Sequence, residues 1–249
     1  MSSHSFDSLL DMDFYAEEYS QFQWDVHILI GGTLQASIRY LDTEAKAELA
    51  KLEVVMEKQL DVEYHEHLVG EHIDVLATND NQERFVRNMA LVALVSRLTH
   101  ALRSMARSAE LFSPRKKRYG NKSMSEFGRL WLEYTERFGI DFNANVDRVA
   151  FVETIREVRN QIVHEGSEAN TYKALDELDL HGGDAGYLDM WFSEKYPCYV
   201  SGTGIGAEVC VGQEQLDTAV KASLDLVGWL AKELRLRELS SIGKTKNIQ

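Results

Sequence analysis

Proline and cysteine are both scarce here, with 2 of each among 249 residues. An interior proline deletes a backbone donor and clashes with the preceding turn, so a chain with so few is free to build long helices. Two cysteines, Cys198 and Cys210, are too few for a disulfide framework, and they read as reduced core thiols. No apolar run approaches the roughly 20 residues needed to cross a bilayer. The run at 26–30 is short and interrupted by His27. Residues 1–18 carry five acidic side chains and no Lys or Arg, unlike the cationic start of a secretory signal. These absences lead to the expectation of a soluble, cytoplasmic protein.

Hydrophobic residues make up 44% of the chain, an ordinary globular share that supports a buried core. The formal net charge of −13 argues at first against a polyanionic partner. Its distribution does not. Residues 1–80 hold 4 basic and 17 acidic side chains, residues 81–137 hold 12 and 5, and residues 138–249 hold 11 and 18. Salt screens charges beyond roughly 8–10 Å, so the local surplus in the middle governs what that stretch meets. It either faces phosphates or pairs with acidic neighbours in the fold.

No internal repeat or low-complexity tract is visible. Trp24, Ile28, Leu34, Ile38 and Leu41 fall near helical spacing, weakened at Gly31-Gly32. Asp42 suits the N-cap of a second, acidic helix over 43–76, which Thr78-Asn79-Asp80-Asn81 should end. The segment 84–112 is apolar on most sides, from Phe85 and Met89 through Leu94, Leu98, Leu102 and Met105, and belongs at the centre of a bundle. Ser113-Pro114 should break it, leaving a basic loop. Ser123 and Glu126 form a capping box for a short helix to Phe138, stopped by Gly139. Asn143 or Asn145 then caps a helix ending near Gly166. Strand-like residues flank Gly202, Gly204 and Gly206. A hairpin turning about Gly204 would set Cys198 opposite Cys210. A last amphipathic helix presents Leu216, Val220, Leu224, Val227, Leu230 and Leu234. The expected architecture is all-α, a bundle of four to five main helices with a small β-hairpin before the last helix. Its expected divisions are an acidic helical extension over 1–42, a bundle over 43–239 with an insertion at 113–143 and the hairpin at 196–211, and a flexible tail over 240–249.

Chemistry concentrates on the helix before Gly166. With Phe151 at zero and a step of about 100° per residue, Phe151, Ile155, Val158 and Ile162 fall within about 40° of one another's centre, and Val152 and Val163 widen the apolar face. Arg159 lands at about 80°, within that face, while Asn160 and His164 fall at about 180° and 220°. Desolvating an unpaired guanidinium costs at least several kcal/mol, so it must snorkel, pair or meet an anion.

Arg159-Asn160-Gln161-Ile162-Val163-His164 resembles the R-x4–6-H motif of the HEPN superfamily (higher eukaryotes and prokaryotes nucleotide-binding), in which a polar residue commonly follows the arginine. The likeness in architecture extends over 43–239, and the specific match is about ten residues. What the resemblance implies is metal-independent RNA cleavage through 2′-hydroxyl attack on the adjacent phosphate, with no cofactor. His164 would exchange protons near neutral pH, and Arg159 would hold phosphate oxygens and steady the transition state. Asn160 would orient the imidazole or bond the substrate. It further implies a homodimer with a composite site, and a toxin or antiviral defence effector restrained by an antitoxin or other regulatory protein. The different-class alternative is a non-catalytic HEPN-like adaptor that dimerises and binds a protein or nucleotide.

For RNA backbone contacts the candidates are Arg115, Lys116, Lys117 and Arg118, helped by Arg103, Arg107, Lys122 and Arg129. Tyr119 and Trp131 suit base stacking, though Trp131 at its spacing fits a core. His65-Glu66-His67 with Glu71 and His72 lacks the H-E-x-x-H order and reads as solvated, not as a metal site. Gly202-Thr203-Gly204-Ile205-Gly206 precedes an apparent strand rather than a helix and lacks G-K-S/T, so it reads as a turn.

Overall fold

A computed structural model describes residues 13–58, 62–110, 125–165, 194–201 and 208–246. Its elements are α1 (Phe14–Val26), a π-helical turn (His27–Leu34), α2 (Gln35–Met56), α3 (Val62–Ala109), α4 (Glu126–Glu136), a 3-10 turn (Asn143–Asn145) and α5 (Val146–Glu165). A second 3-10 turn (Pro197–Tyr199), strands β1 (Val200–Ser201) and β2 (Glu208–Val209), and α6 (Gln213–Lys246) complete them. The fold is all-α with one small antiparallel hairpin before the last helix, as expected.

Several boundaries differ from the sequence reading. The helix does not stop at 78–81; α3 runs through them. Their polar side chains bond along the helix surface instead of turning it, Asn79 Nδ2 donating to Glu83 Oε1 at 3.2 Å and Arg84 to Asn81 Oδ1 at 2.8 Å. The interruption falls after Met56. Asp42 caps nothing; it lies within α2 and accepts from Lys46 Nζ at 2.6 Å. Gly31-Gly32 does not weaken the helix to a break but widens it into the π turn, whose hydrogen bonds span one more residue than α bonds. Trp24 and Ile28, expected on an apolar face, are exposed, and of that set only Leu34 is fully buried. The N-cap of α4 is Ser125, not Ser123, its side chain accepting from Gly128 N at 2.9 Å. The expected tail from 240 is helical as far as Lys246.

The chain divides into two compact units. The first joins Met1–Val26, Leu94–Glu157 and Asp217–Gln249. Its core takes Tyr15 and Phe22 from α1, Leu94, Leu98, Leu102 and Met105 from α3, Phe127, Leu130 and Tyr134 from α4, and Leu226, Val227 and Leu230 from α6. The α6 stripe runs through Ala219 and Ser223 rather than through Val220 and Leu224, which are only half-buried. Tyr134 donates its hydroxyl to Leu102 O at 2.6 Å, and burial pushes that phenol's pKa well up. Trp131 belongs to an aromatic group with Phe127, Tyr134 and Phe142, and its Nε1 donates to Glu153 Oε1 at 2.8 Å. It is structural, as its spacing suggested.

The second unit joins His27–Ala93 and Val158–Leu216. Here α2 has no fully buried residue at all. The hairpin pairs Val200 with Val209 and Ser201 with Glu208. Asn88 of α3 completes it as a strand edge would, Nδ2 donating to Val209 O at 2.9 Å and Oδ1 accepting from Val211 N at 3.0 Å. Arg84 adds an ion pair to Glu208 at 2.6 Å. Cys198 and Cys210 are not opposed: Cys210 N donates to Tyr199 O at 2.8 Å, one residue out of the expected register. Nor is Cys198 a core thiol, since it is exposed.

Candidate active site

Ahead of α5, Asn143 N donates to Asp141 Oδ1 at 2.9 Å at the entry to the 3-10 turn, so the role expected of Asn143 or Asn145 as a cap of the helix is not the one seen. Asn145 is buried and accepts from the Arg148 guanidinium instead. Along α5 the fully buried positions are Val152, Ile155 and Val158. Phe151 and Ile162, expected at the centre of the apolar face, are half-buried, and Val163 is exposed. The buried stripe is therefore narrower and rotated toward Val152.

Two arginines stand three residues apart on this helix. Arg156 is neutralised: its Nε lies 2.7 Å from Glu153 Oε2 and its Nη2 3.7 Å from Glu157 Oε1. Arg159 is half-buried, and among the described residues no carboxylate lies within ion-pair distance of it. Its Nη1 donates to Asn160 Oδ1 at 3.0 Å. A guanidinium carries five N–H donors, and a neutral amide satisfies one of them without cancelling the charge. Because adjacent helical residues stand about 100° apart, this bond draws Arg159 off the buried stripe toward the side of Asn160. Position 164 lies about one turn further along that same side, in the last turn of α5.

The site thus brings Arg159 and Asn160 together and places His164 on the same helix. Arg115, Lys116, Lys117 and Arg118 lie outside the described residues, as do Tyr119 and Lys122. Of their expected helpers, Arg107 and Arg129 are exposed, while Arg103 is engaged by Glu126. Much of the basic middle stretch is paired: Arg84 with Glu208, Arg87 with Glu83, Arg97 with Asp25, and Arg137 with Glu110 and Glu133. The pairing of Arg87 with Glu83 and of Arg137 with Glu133 carries an i,i+4 signal in the sequence. The bond between Arg159 and Asn160 carries none, because neighbours on a helix do not ordinarily face each other.

Elsewhere, His67 Nε2 approaches Glu71 Oε1 at 3.3 Å, and among the described residues no three His, Cys, Asp or Glu side chains converge as metal ligands. No described helix is long and apolar enough to cross a membrane. Fold and site together define an all-α protein with an amide-held arginine and a histidine near the end of one helix. No protein family, curated protein or solved structure matches this chain.

Proposed function

We propose that the chain is a metal-independent endoribonuclease of HEPN type. The observation that carries this reading is the half-buried Arg159 guanidinium, held by a neutral amide and by no carboxylate among the described residues. Such a group keeps its full charge for an anion, and a phosphodiester oxygen is the ligand its planar donors fit. In the proposed reaction a base takes the proton of a ribose 2′-hydroxyl. The freed oxygen bonds to phosphorus, the bond from phosphorus to the 5′-oxygen breaks, and that leaving oxygen takes up a proton. His164 is the proton-transfer group, since an imidazole titrates near neutral pH. Arg159 stabilises the charge that builds on the phosphorane. Asn160 is assigned here a positioning role toward Arg159, in place of the role toward the imidazole or substrate expected from the motif.

The products are a 2′,3′-cyclic phosphate and a 5′-hydroxyl, and DNA lacks the attacking group. Arg115, Lys116, Lys117 and Arg118 are the proposed backbone contacts, the homodimer with a composite site is the proposed assembly, and a toxin or defence effector under a regulatory protein is the proposed setting. The test is incubation of the purified chain with RNA and with the same sequence carrying 2′-deoxyribose, beside Arg159→Ala and His164→Ala variants. Cleavage of RNA alone, ending in cyclic phosphate and lost in both variants, is expected. Equal cleavage by all three proteins discards the mechanism. Absence of cleavage by any of them favours the adaptor reading, to which the exposed apolar residues Val69, Ile73 and Leu76 on α3 also speak.

A further inference from the structure

On the N-terminal half of α3, Val69, Ile73 and Leu76 are 39%, 59% and 45% exposed. Spaced by four and then three residues, they fall within about 60° of each other and make one continuous aliphatic stripe. The same spacing continues to Glu66 on one side and to Asp80 and Glu83 on the other, so the stripe has an acidic residue at each end. Beside it, at the next position around the helix, stand Gly70 and Ala77. Among the described residues no heavy atom outside the helix's own backbone lies within 4 Å of where a Gly70 Cβ would stand, so no described contact accounts for that glycine. A glycine inside a helix weakens it, and here its one structural consequence is room for a second backbone to approach.

The charge around the stripe selects its occupant. Glu66 and Asp80 end the stripe itself, and along the sequence from Asp42 to Asp80 eleven acidic residues stand against three lysines, of which Lys46 and Lys51 are paired with Asp42 and Glu48. A second copy laid along the stripe would oppose Glu66 to Glu66 if parallel, or Glu66 to Asp80 if antiparallel about Ile73. Anionic lipid is repelled for the same reason. A helix with an aliphatic stripe of its own and lysines or arginines flanking it satisfies both features at once. We infer that the Val69-Ile73-Leu76 face of α3 is a docking surface for a cationic amphipathic helix of another protein. This goes beyond the ribonuclease reading and stands without it.

The experiment uses the full chain and a fluorescein-labelled designed helix of three heptads with leucine at a and d and lysine at e and g, followed by anisotropy. A twin peptide with glutamate for lysine is the charge control. The lysine peptide binds saturably, and the glutamate twin binds at least about tenfold more weakly. A Val69→Ser/Ile73→Ser/Leu76→Ser variant, whose charges are intact, loses at least about tenfold in affinity for the lysine peptide. Glu66→Lys/Asp80→Lys loses a comparable factor. Because these side chains are exposed, the variants keep the helical circular dichroism of the parent. Undiminished binding to the triple serine variant overturns the proposal, as does equal binding of the two peptides. A parent that sediments as a dimer and a triple variant that sediments as a monomer give the face to a second copy instead, which also overturns it.

Discussion

Arg137 ends α4 with its side chain 2% exposed and a single guanidinium nitrogen 2.6 Å from Glu133 and 3.0 Å from Glu110. Arg159, near the end of α5, is half-buried and meets only the neutral Asn160 among the described residues. Each stands late on or just past its helix beside one buried apolar residue, Phe138 for Arg137 and Val158 for Arg159. In the first, two carboxylates consume the charge, and the guanidinium also lies 5.0 Å from the Phe138 ring centroid. In the second, the charge is oriented by a neutral amide, and no carboxylate among the described residues cancels it. The contrast separates an arginine that serves the fold from one available to a ligand.

Removing each arginine is the strongest way to break that comparison. Arg137→Ala strands the buried Glu133 without its cation and should lower unfolding stability by about 3–5 kcal/mol, the range for a broken buried pair. Urea denaturation checks it, and a loss below about 1 kcal/mol would put Arg137 among ordinary surface pairs. Arg159→Ala should do the opposite. Its denaturation midpoint stays close to the parent's, while RNA cleavage falls by about 100-fold or more, the scale for losing one transition-state donor. Single-turnover cleavage of a labelled RNA reads it. A stability loss as large as that of Arg137→Ala would make Arg159 another structural cation.

Asn160 offers a finer cut. Asn160→Asp places a carboxylate where the amide oxygen accepts from Arg159 and so rebuilds at α5 the electrostatics of Arg137. Cleavage should then fall further than in Asn160→Ala, for which about a tenfold loss is expected from misplacing the donor. Asn160→Asp should not destabilise the fold, since the new charge is paired. If Asn160→Asp cleaves as fast as the parent, the guanidinium does not act through its charge, and the comparison collapses at its functional end.

The helix α5 and its buried positions Ile155 and Val158 were legible from periodicity, with Val152 expected at the edge of that face, and the hairpin ahead of α6 was legible from the strand-like residues flanking Gly202, Gly204 and Gly206. Arg159 stood out because a charge at the edge of an apolar stripe requires an explanation. What stayed hidden depended on contacts that no local pattern encodes. Arg137 counted toward a basic field in the middle of the chain, yet its charge is spent on Glu110 and Glu133, one of them 27 residues away. The hairpin register missed by one residue because Gly202, Gly204 and Gly206 offer several turn centres, and Asn88, over 120 positions distant, helps fix the strand edge. The false stop at 78–81 arose because asparagine and aspartate serve either as turn formers or as partners along a helix surface. Sequence identity alone does not choose between those uses.

The smallest effect concerns how Arg137 is brought into place. Gly139, two residues further on, has a φ of 65°, a backbone region that a side chain makes costly, and the turn it forms lets Ile140 N reach back to Tyr134 O at 3.0 Å. An alanine there would be strained by its own Cβ and would also meet Arg237 Nη1 at 3.1 Å, a contact that the flexible end of that side chain can relieve. The backbone strain remains, so Gly139→Ala should cost about 1 kcal/mol or slightly more, and Gly139→Asn less, because asparagine tolerates that conformation better. Since this turn belongs to the arginine that serves the fold, neither substitution should alter the cleavage rate per folded molecule. A rate that fell with Gly139→Ala at unchanged stability would tie the α4 terminus to the chemistry, and the division between the two arginines would no longer hold.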